Sequence, residues 1–456
     1  MKFQVKVYKI SKGNKSQASF LAIINKKIVD KLKLKINDGI LISIKNHTFP
    51  TVVKKHGSKR FVHGFTIPFK IGRKLKTKSQ IIVSLISKGL ENPKPQHFKS
   101  SDNLNLTTII PKNTMINRRV YAFELVEKKV LFWIYSKGNR PFILPKSVEL
   151  RKDNFSLFEV LGAFLCEGFK ARKKGKHRDR LSFSNAELEQ IKWFTDALEN
   201  LLGIKREEWS IQILYPKISH KSTKILKKHW SKAGFLMNQI SINKNKTVVS
   251  PYGICIQNIY NSTLAEIFSF LMEYCKKLVL KNNRNVIDTF RGFSRGDLGV
   301  TSDSITFDSE NKSDVLLFKQ VCTKLGITTG NLNFRPYKHG WWYIRINGWD
   351  NFRKILELDG IKHTKRKEKL INIFLKSKRN LRYKYLEAIK NKKNTSKKIA
   401  NSLNLSIITT RFYLSKFRKE KYVRSYLANK SNRFIYRLTT KGKKELEVLR
   451  GVINGS

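Results

Sequence analysis

Negative charge is what this chain of 456 residues has least of: 33 Asp and Glu stand against 93 Lys and Arg, a formal net charge of +60 at pH 7. A chain so charged repels itself when compact and excludes basic partners, so a polyanion is the economical complement. Nucleic acid comes first, because neutralising its phosphates releases counterions. Cysteine is nearly as scarce. Cys166, Cys255, Cys275 and Cys322 show no C-x-x-C spacing and sit in apolar text, which excludes a disulfide frame and a cysteine zinc site. They read as small buried hydrophobes in a reducing compartment. No apolar run approaches the roughly 18 residues of a membrane span, and "MKFQVKVYKI" alternates charge and apolarity where a secretory leader would be apolar. The expected location is cytoplasmic and nucleoid-associated, with no membrane partner.

What is present begins with a repeat. Ile24, Lys27, Ile28, Leu32 and Lys33 return 43 residues later as Ile67, Lys70, Ile71, Leu75 and Lys76. Each copy reads as a strand, a short basic helix, a polar turn and a second strand. This pattern resembles the AbrB/SpoVT swapped-hairpin DNA-binding domains, an apolar strand followed by "IPKxIRxxLxLxxGD" and another strand. Those domains are dimers, so the resemblance implies that residues 1–90 form the pseudo-dimer within one chain. Residues 91–154 then read as a polar linker, "ENPKPQHFKSSDN", and a small β extension that packs onto the domain after it.

Two later helices share a construction. "SLFEVLGAFLCEG" opens on Ser156, a good N-cap, and sets Leu157, Val160, Leu161, Phe164 and Leu165 on an apolar surface before ending in Glu167. "VIDTFRGFSRGDLG" repeats the plan and ends in Asp297. Gly162 and Cys166 in the first, and Gly292 and Gly296 in the second, are four apart, so each pair shares a helix face. Glycine inside a helix costs about 0.5–1 kcal/mol relative to alanine, and close approach of the two backbones would explain it. Packed so, Glu167 and Asp297 would end side by side. Carboxylates are unfavourable at helix C-termini and repel each other, and a divalent cation between them would reverse both effects. Mg²⁺ takes one or two carboxylates together with phosphate oxygens, so the pair points to metal-assisted phosphodiester hydrolysis, with Mn²⁺ as a substitute.

These residues carry a resemblance to the LAGLIDADG homing endonucleases in their single-chain, two-motif form. "VLGAFLCEG" and "FRGFSRGDL" each hold an acid at the eighth motif position, and each is followed by a strand and a helix that ends in Leu-Gly-Ile. The resemblance covers roughly residues 151–376. It implies an α+β pseudo-twofold (αββαββα)₂ core, here 155–376 with halves of about 155–280 and 281–376. It also implies a sheet face lying along the DNA major groove, with metal at Glu167 and Asp297. In the family, basic helpers of catalysis come from a later strand of each half, which here nominates Arg345 and Gln257. Two departures stand out: Leu298 replaces the motif glycine, and Arg295 replaces an acid common in the second motif. Strand alternation nominates Arg180, Ser182 and Ser184, and Ser304, Thr306 and Asp308, as contacts to bases.

Residues 377–456 change pattern again. Three helical segments, a hairpin and the ending "YRLTTKGKKEL" resemble the winged-helix domains of MarR-like regulators. Ser406 reads as the cap of the recognition helix, with Ile408, Phe412, Leu414 and Phe417 on its apolar side. Thr409, Thr410, Arg411 and Tyr413 are the expected base contacts, and Lys430 and Arg433 the expected wing contacts. The combined expectation is a site-specific, Mg²⁺-dependent double-strand DNA endonuclease, a monomer with internal pseudo-twofold symmetry. Two alternatives stay open: a regulator with a degenerate LAGLIDADG core, as in the WhiA family, and an RNA-binding intron maturase.

Overall fold

In "KFQVKVY" every second residue is apolar, and the first strand, β1 (Lys2–Ile10), buries Phe3, Val5 and Val7 while Gln4 and Lys6 face out. The structure is a computed structural model that describes residues 1–10, 19–56, 62–75, 80–89, 103–109, 120–135, 140–168, 179–216, 221–245, 248–296, 298–301, 303–336, 340–376, 381–428 and 431–454. It is mixed α+β. The chain forms two compact units, Met1–Leu278 and Val279–Ser456.

The first unit continues with β2 (Ser19–Ile24), α1 (Lys26–Lys31), β3 (Gly39–Ile44), β4 (His47–Val52), β5 (Lys54–His56), β6 (Val62–Ile67), α2 (Phe69–Gly72) and β7 (Gln80–Lys88). They form one sheet in the order β4-β3-β7-β1-β2-β6-β5, antiparallel throughout. The two copies of the repeat pair through equivalent residues. Ala22 on β2 lies opposite Phe65 on β6, and Ile42 on β3 opposite Leu85 on β7, each partner 43 positions on. That register is an internal pseudo-twofold axis. It also takes in strands outside the repeat: β1 flanks β7 as β4 flanks β3. As β1 pairs with β2, so β4 approaches β6, where Thr51 Oγ1 donates to the Thr66 carbonyl at 3.1 Å. The sheet thus curls round a core that includes Val5, Ala22, Ile40, Ile42, Phe65 and Val83. Lys76, the last repeated position, lies outside the described residues, as does most of the expected linker, 90–102.

The extension comprises β8 (Asn103–Asn105), β9 (Val120–Glu124), β10 (Lys129–Ile134), β11 (Phe142–Pro145), β12 (Ser147–Glu149), β13 (Arg151–Lys152) and β14 (Phe155–Ser156). It packs in two directions. Tyr121, Phe123, Leu131 and Trp133 close over Leu41 and Val52 of the curled sheet, and Tyr121 Oη donates to the Asn37 carbonyl at 2.7 Å. A side chain at Gly39 would overlap the Tyr121 ring, so only glycine fits there.

Ser156 then caps α3 (Leu157–Glu167), accepting from the Phe158 N–H at 3.2 Å. Residues Leu157 to Leu165 are buried on every side of this helix, which accounts for its lack of a polar stripe. The rest of the unit is β15 (Leu181–Asn185), α4 (Leu188–Leu202), β16 (Ser210–Pro216), α5 (Thr223–Ser231), β17 (Ile240–Asn245), β18 (Ile254–Ile259) and α6 (Ser262–Leu278). The sheet runs β15-β18-β16-β17, and β17 lies parallel to β16 because α5 carries the chain back across. The extension's other contacts are to this part, β10 against α6 and β12 against α4. The expected αββαββα order departs here. The α5–β17 crossover is inserted between β16 and β18, and the described residues between α3 and β15 pair with β15 only through the bridge Gly168–Phe183.

In the second unit the order is α7 (Asn283–Arg295), β19 (Gly299–Val300), β20 (Ser304–Ser309), α8 (Lys312–Lys324), β21 (Asn333–Arg335), β22 (Trp341–Asn347), α9 (Trp349–Glu357) and α10 (Thr364–Lys376). The sheet is β19-β20-β22-β21, all antiparallel. Both sheets are pinned by the same kind of aromatic pair to the helix that follows β15 or β20: Phe183 stacks on Phe194 of α4 at 4.0 Å, and Phe307 meets Phe318 of α8 at 4.7 Å. The Leu-Gly-Ile endings have a common cause. Gly203 and Gly326 each take φ +65°, turning the chain so that Ile204 and Ile327 drop into the core.

The last part is α11 (Leu381–Lys390), α12 (Ser396–Leu403), α13 (Ile407–Lys419), the hairpin β23 (Val423–Ala428) and β24 (Ser431–Leu438), and α14 (Thr440–Asn454). Tyr385, Leu386, Ile399, Leu414, Phe417 and Leu446 fill its core. Glu445 on α14 ties it to the α/β part of the same unit, accepting from both Arg353 on α9 and Arg382 on α11. Among the described residues no helix is long and apolar enough to cross a membrane.

Candidate nucleic-acid interface

Glu167 is the last residue of α3. Its Oε1 accepts from Asn185 Nδ2 at 3.0 Å, and Asn185 Oδ1 in turn accepts from the Glu187 N–H at 2.8 Å. The Asn185 amide is therefore oriented by the turn into α4, and it fixes the Glu167 carboxylate at the end of β15. Gly168 comes next because a side chain there would overlap the Phe164 ring and carbonyl. Asp297 lies outside the described residues. The helix before it is anchored by a residue that no motif singles out: Arg366 on α10 donates to the carbonyls of Ser294, at 3.1 Å, and Gly296. A guanidinium on the orphan carbonyls of a helix end is favourable both as a hydrogen bond and against the helix dipole. Only the lysine-rich composition around it, "HTKRKEKL", hinted at such a role. Leu298, where the motif glycine is replaced, is fully buried. Gly162, Gly292 and Gly296 are buried and Cys166 is half-buried. Among the described residues no three His, Cys, Asp or Glu are grouped as a metal-ligand set.

The pleat of each sheet sorts the other nominated residues. In the first sheet Phe183, Ile211, Cys255 and Gln257 face α4, and Gln257 is wholly buried with its Oε1 accepting from Thr195 Oγ1 at 2.8 Å. Gln257 is therefore a core residue, not a groove contact. Its nomination is one residue out of register, and a single step on a strand exchanges the two faces. The residue opposite Ser182 is Asn258, as Arg345 is opposite Thr306 in the second sheet. Arg180 lies over the Tyr260 ring at 5.7 Å.

The face turned away from α4 carries Ser182, Ser184, Ile256, Asn258, Ser210 and Gln212, continued by Ser241 and Asn243 on β17. Ser182 and Asn258 are buried, Ser184 and Gln212 half-buried, and Ser210, Ser241 and Asn243 exposed. The positions on β16 and β17 were missed because the inserted crossover hid their partnership. Their alternation in "SIQILYP" was the available clue.

In the second sheet Ile305, Phe307, Ile344 and Ile346 face the helices. Ser304, Thr306 and Asp308 share the opposite face with Tyr343, Arg345 and Asn347. Arg345 is exposed there. Arg335 lies over the Tyr343 ring at 4.2 Å and Arg345 at 5.7 Å. Burial pushes the Asp308 carboxyl above the usual carboxylate range, and Arg335 pulls it partway back.

On α13, Ser406 is the cap, its Oγ accepting from the Thr409 N–H at 3.0 Å. Arg411 is exposed and Thr409 half-buried. Thr410 is wholly buried and so is no base contact. Tyr413 is half-buried, packed on Tyr385 and Phe417. The expected apolar side splits: Leu414 and Phe417 are core, but Ile408 is 82% and Phe412 66% exposed. Arg433 belongs to β24, and Lys430 lies outside the described residues.

No protein-family profile matches the chain, and no curated protein does. Among solved structures it is similar to I-DmoI in complex with DNA and Ca, at 15% identity and a TM-score of 0.27 over 44% of this chain and 85% of that one. I-DmoI with DNA and Mn gives 14% and 0.27 over 43% and 92%. Full-length DUF199/WhiA from Thermatoga maritima gives 12% and 0.29 over 59% and 94%. Likenesses this distant assign neither a fold family nor an activity.

Proposed function

We propose that the chain is a site-specific, Mg²⁺-dependent double-strand DNA endonuclease of the LAGLIDADG type, flanked by an AbrB-like domain and a winged helix that extend its contact with DNA. The observation that carries this reading is Glu167, a carboxylate placed at the C-terminal end of a buried helix and held by Asn185 at the end of β15, where Ser184 Oγ donates to the Glu167 carbonyl at 3.5 Å. A carboxylate at that end of a helix is unfavourable without a cation. The donor chemistry suits magnesium, an oriented hard oxygen in a protein of net charge +60 that draws in phosphate oxygens. When bound, the metal would activate water and polarise the scissile phosphate. The chain's own residues position the metal-holding carboxylate and face the DNA. Asn185 holds Glu167 in one orientation, and Ser184, Gln212 and Asn243 offer the uncharged donors and acceptors that read base edges. Arg335 and Arg345 offer charge to the backbone. Asp297 is assigned the second metal-holding role by its motif position. The burial of Leu298 supports a packing role for that departure over decay of the site.

The test is to incubate the full chain with a random duplex library in Mg²⁺ or EDTA and sequence both bound and cut DNA, with Glu167→Gln alongside. Staggered cuts at one long motif are expected in Mg²⁺ alone, falling roughly 10³–10⁴-fold in the variant while binding persists. A bound motif with no cut ends in either protein would sink the enzyme reading and leave a regulator.

A further inference from the structure

The solvent face of α13 exposes two large apolar side chains, Ile408 and Phe412, where a basic protein gains nothing from apolarity. The helix is amphipathic in an unexpected way. Thr410, Leu414 and Phe417, at i, i+4 and i+7, are buried. Ile408, Arg411, Phe412 and Ser415 lie on the opposite side at i, i+3, i+4 and i+7, all exposed, followed by exposed Lys416 and Lys419. The helix contains no acid, and Glu420 just beyond it is paired with Arg382. Two large apolar side chains four residues apart, framed by cations, therefore occupy the first half of the helix that a winged helix directs at bases.

We propose that Ile408 and Phe412 read thymine, packing against the 5-methyl groups that only thymine presents in the major groove. This rests on the DNA-binding reading above and adds the base to it. The charge pattern selects the occupant. A face of Ile, Arg, Phe, Ser and two Lys matches a groove bordered by phosphates and floored at A·T pairs by methyl groups. An apolar protein partner would leave Arg411, Lys416 and Lys419 unanswered. Arg411, between the two apolar residues in the same row, would take a phosphate or an adjacent acceptor edge.

Deoxyuridine isolates the claim, since it keeps every hydrogen-bonding group of thymine and lacks only the methyl. The site selected by the full chain from a random duplex library would be resynthesised with thymines replaced one at a time by deoxyuridine. Affinity would be read by fluorescence anisotropy. Wild type is expected to weaken about fourfold for each methyl that the two side chains cover, the transfer value of one buried carbon. Ile408→Ala/Phe412→Ala should bind the thymine and deoxyuridine duplexes equally, whereas Phe412→Leu, which restores an apolar tip, should regain part of the preference. Unchanged far-ultraviolet circular dichroism would accompany these surface variants. Tight DNA binding with no thymine preference at any position would overturn this inference alone. A double variant that loses self-association in sedimentation while its thymine preference matches wild type would overturn it in favour of a second copy as the occupant. Failure of the full chain to bind any duplex would overturn both this inference and the reading beneath it.

Discussion

The two four-stranded sheets differ on the faces turned away from α4 and α8. In the first unit that face is neutral: Ser182, Ser184, Asn258, Ser210, Gln212, Ser241 and Asn243. In the second it is charged and aromatic, with Arg335 and Arg345 near Tyr343, and Asp308 beside them. The helix-facing sides share a strand phenylalanine set against a helix phenylalanine, though the residue opposite it is Gln257 in the first and Ile344 in the second. One scaffold thus supports two chemistries, because on a pleated strand alternate residues answer to different surroundings. Amides and hydroxyls discriminate through directed hydrogen bonds. Guanidinium groups add affinity that depends on salt.

That contrast can be broken first at the shared core. Phe183→Ala and Phe307→Ala should each cost about 3–5 kcal/mol of stability in urea unfolding, since both leave a large cavity in a buried aromatic pair. A cost below about 1 kcal/mol at either site would show that the two sheets are not held alike. Next come the faces themselves. Gln212→Ala should relax base preference by about 1–3 kcal/mol at one position of the selected site and leave the salt dependence unchanged. Arg345→Ala should do the opposite, lowering affinity for all sequences and reducing the slope of log K against log salt by about one. Exchange of those two outcomes would reverse the assignment of the faces.

The smallest effect is expected at Asp308. Its carboxyl is pushed up by burial, so the proton is bound at higher pH than by an ordinary aspartate. As pH falls through that raised value a negative charge leaves the face, and DNA should bind more tightly. Asp308→Asn should bind at neutral pH as the protonated wild type does, without the step. A step that survives in the variant would assign it to another group.

Much of the architecture is legible in the order of residues. The 43-residue repeat fixes which strands of the curled sheet are equivalent, and Ser156 and Ser406 mark helix starts that hydrogen bonds realise. Arg345 and Thr306, nominated separately, stand opposite each other on one face. Gln257 was misread because "ICIQN" places polar residues on both faces of β18, and composition does not say which is covered by a helix. Ile408 and Phe412 were misread because apolar residues at helical spacing look like core whether or not anything packs against them. Here the buried stripe runs through Thr410 instead.

The sequence by itself determined the local structure: where strands alternate, where helices are capped, and where Gly203 and Gly326 must turn the chain. It determined the charge as well. The first depends on backbone sterics and hydrogen-bonding groups carried by short stretches of chain, the second on a sum over residues that needs no fold. Only the tertiary structure decided the register of β18, the insertion of β17 beside β16, and the hold of Arg366 on the end of α7. It alone decided, too, which side of α13 faces water. Each of these depends on a partner far away in sequence, and burial is a property of the partner as much as of the residue.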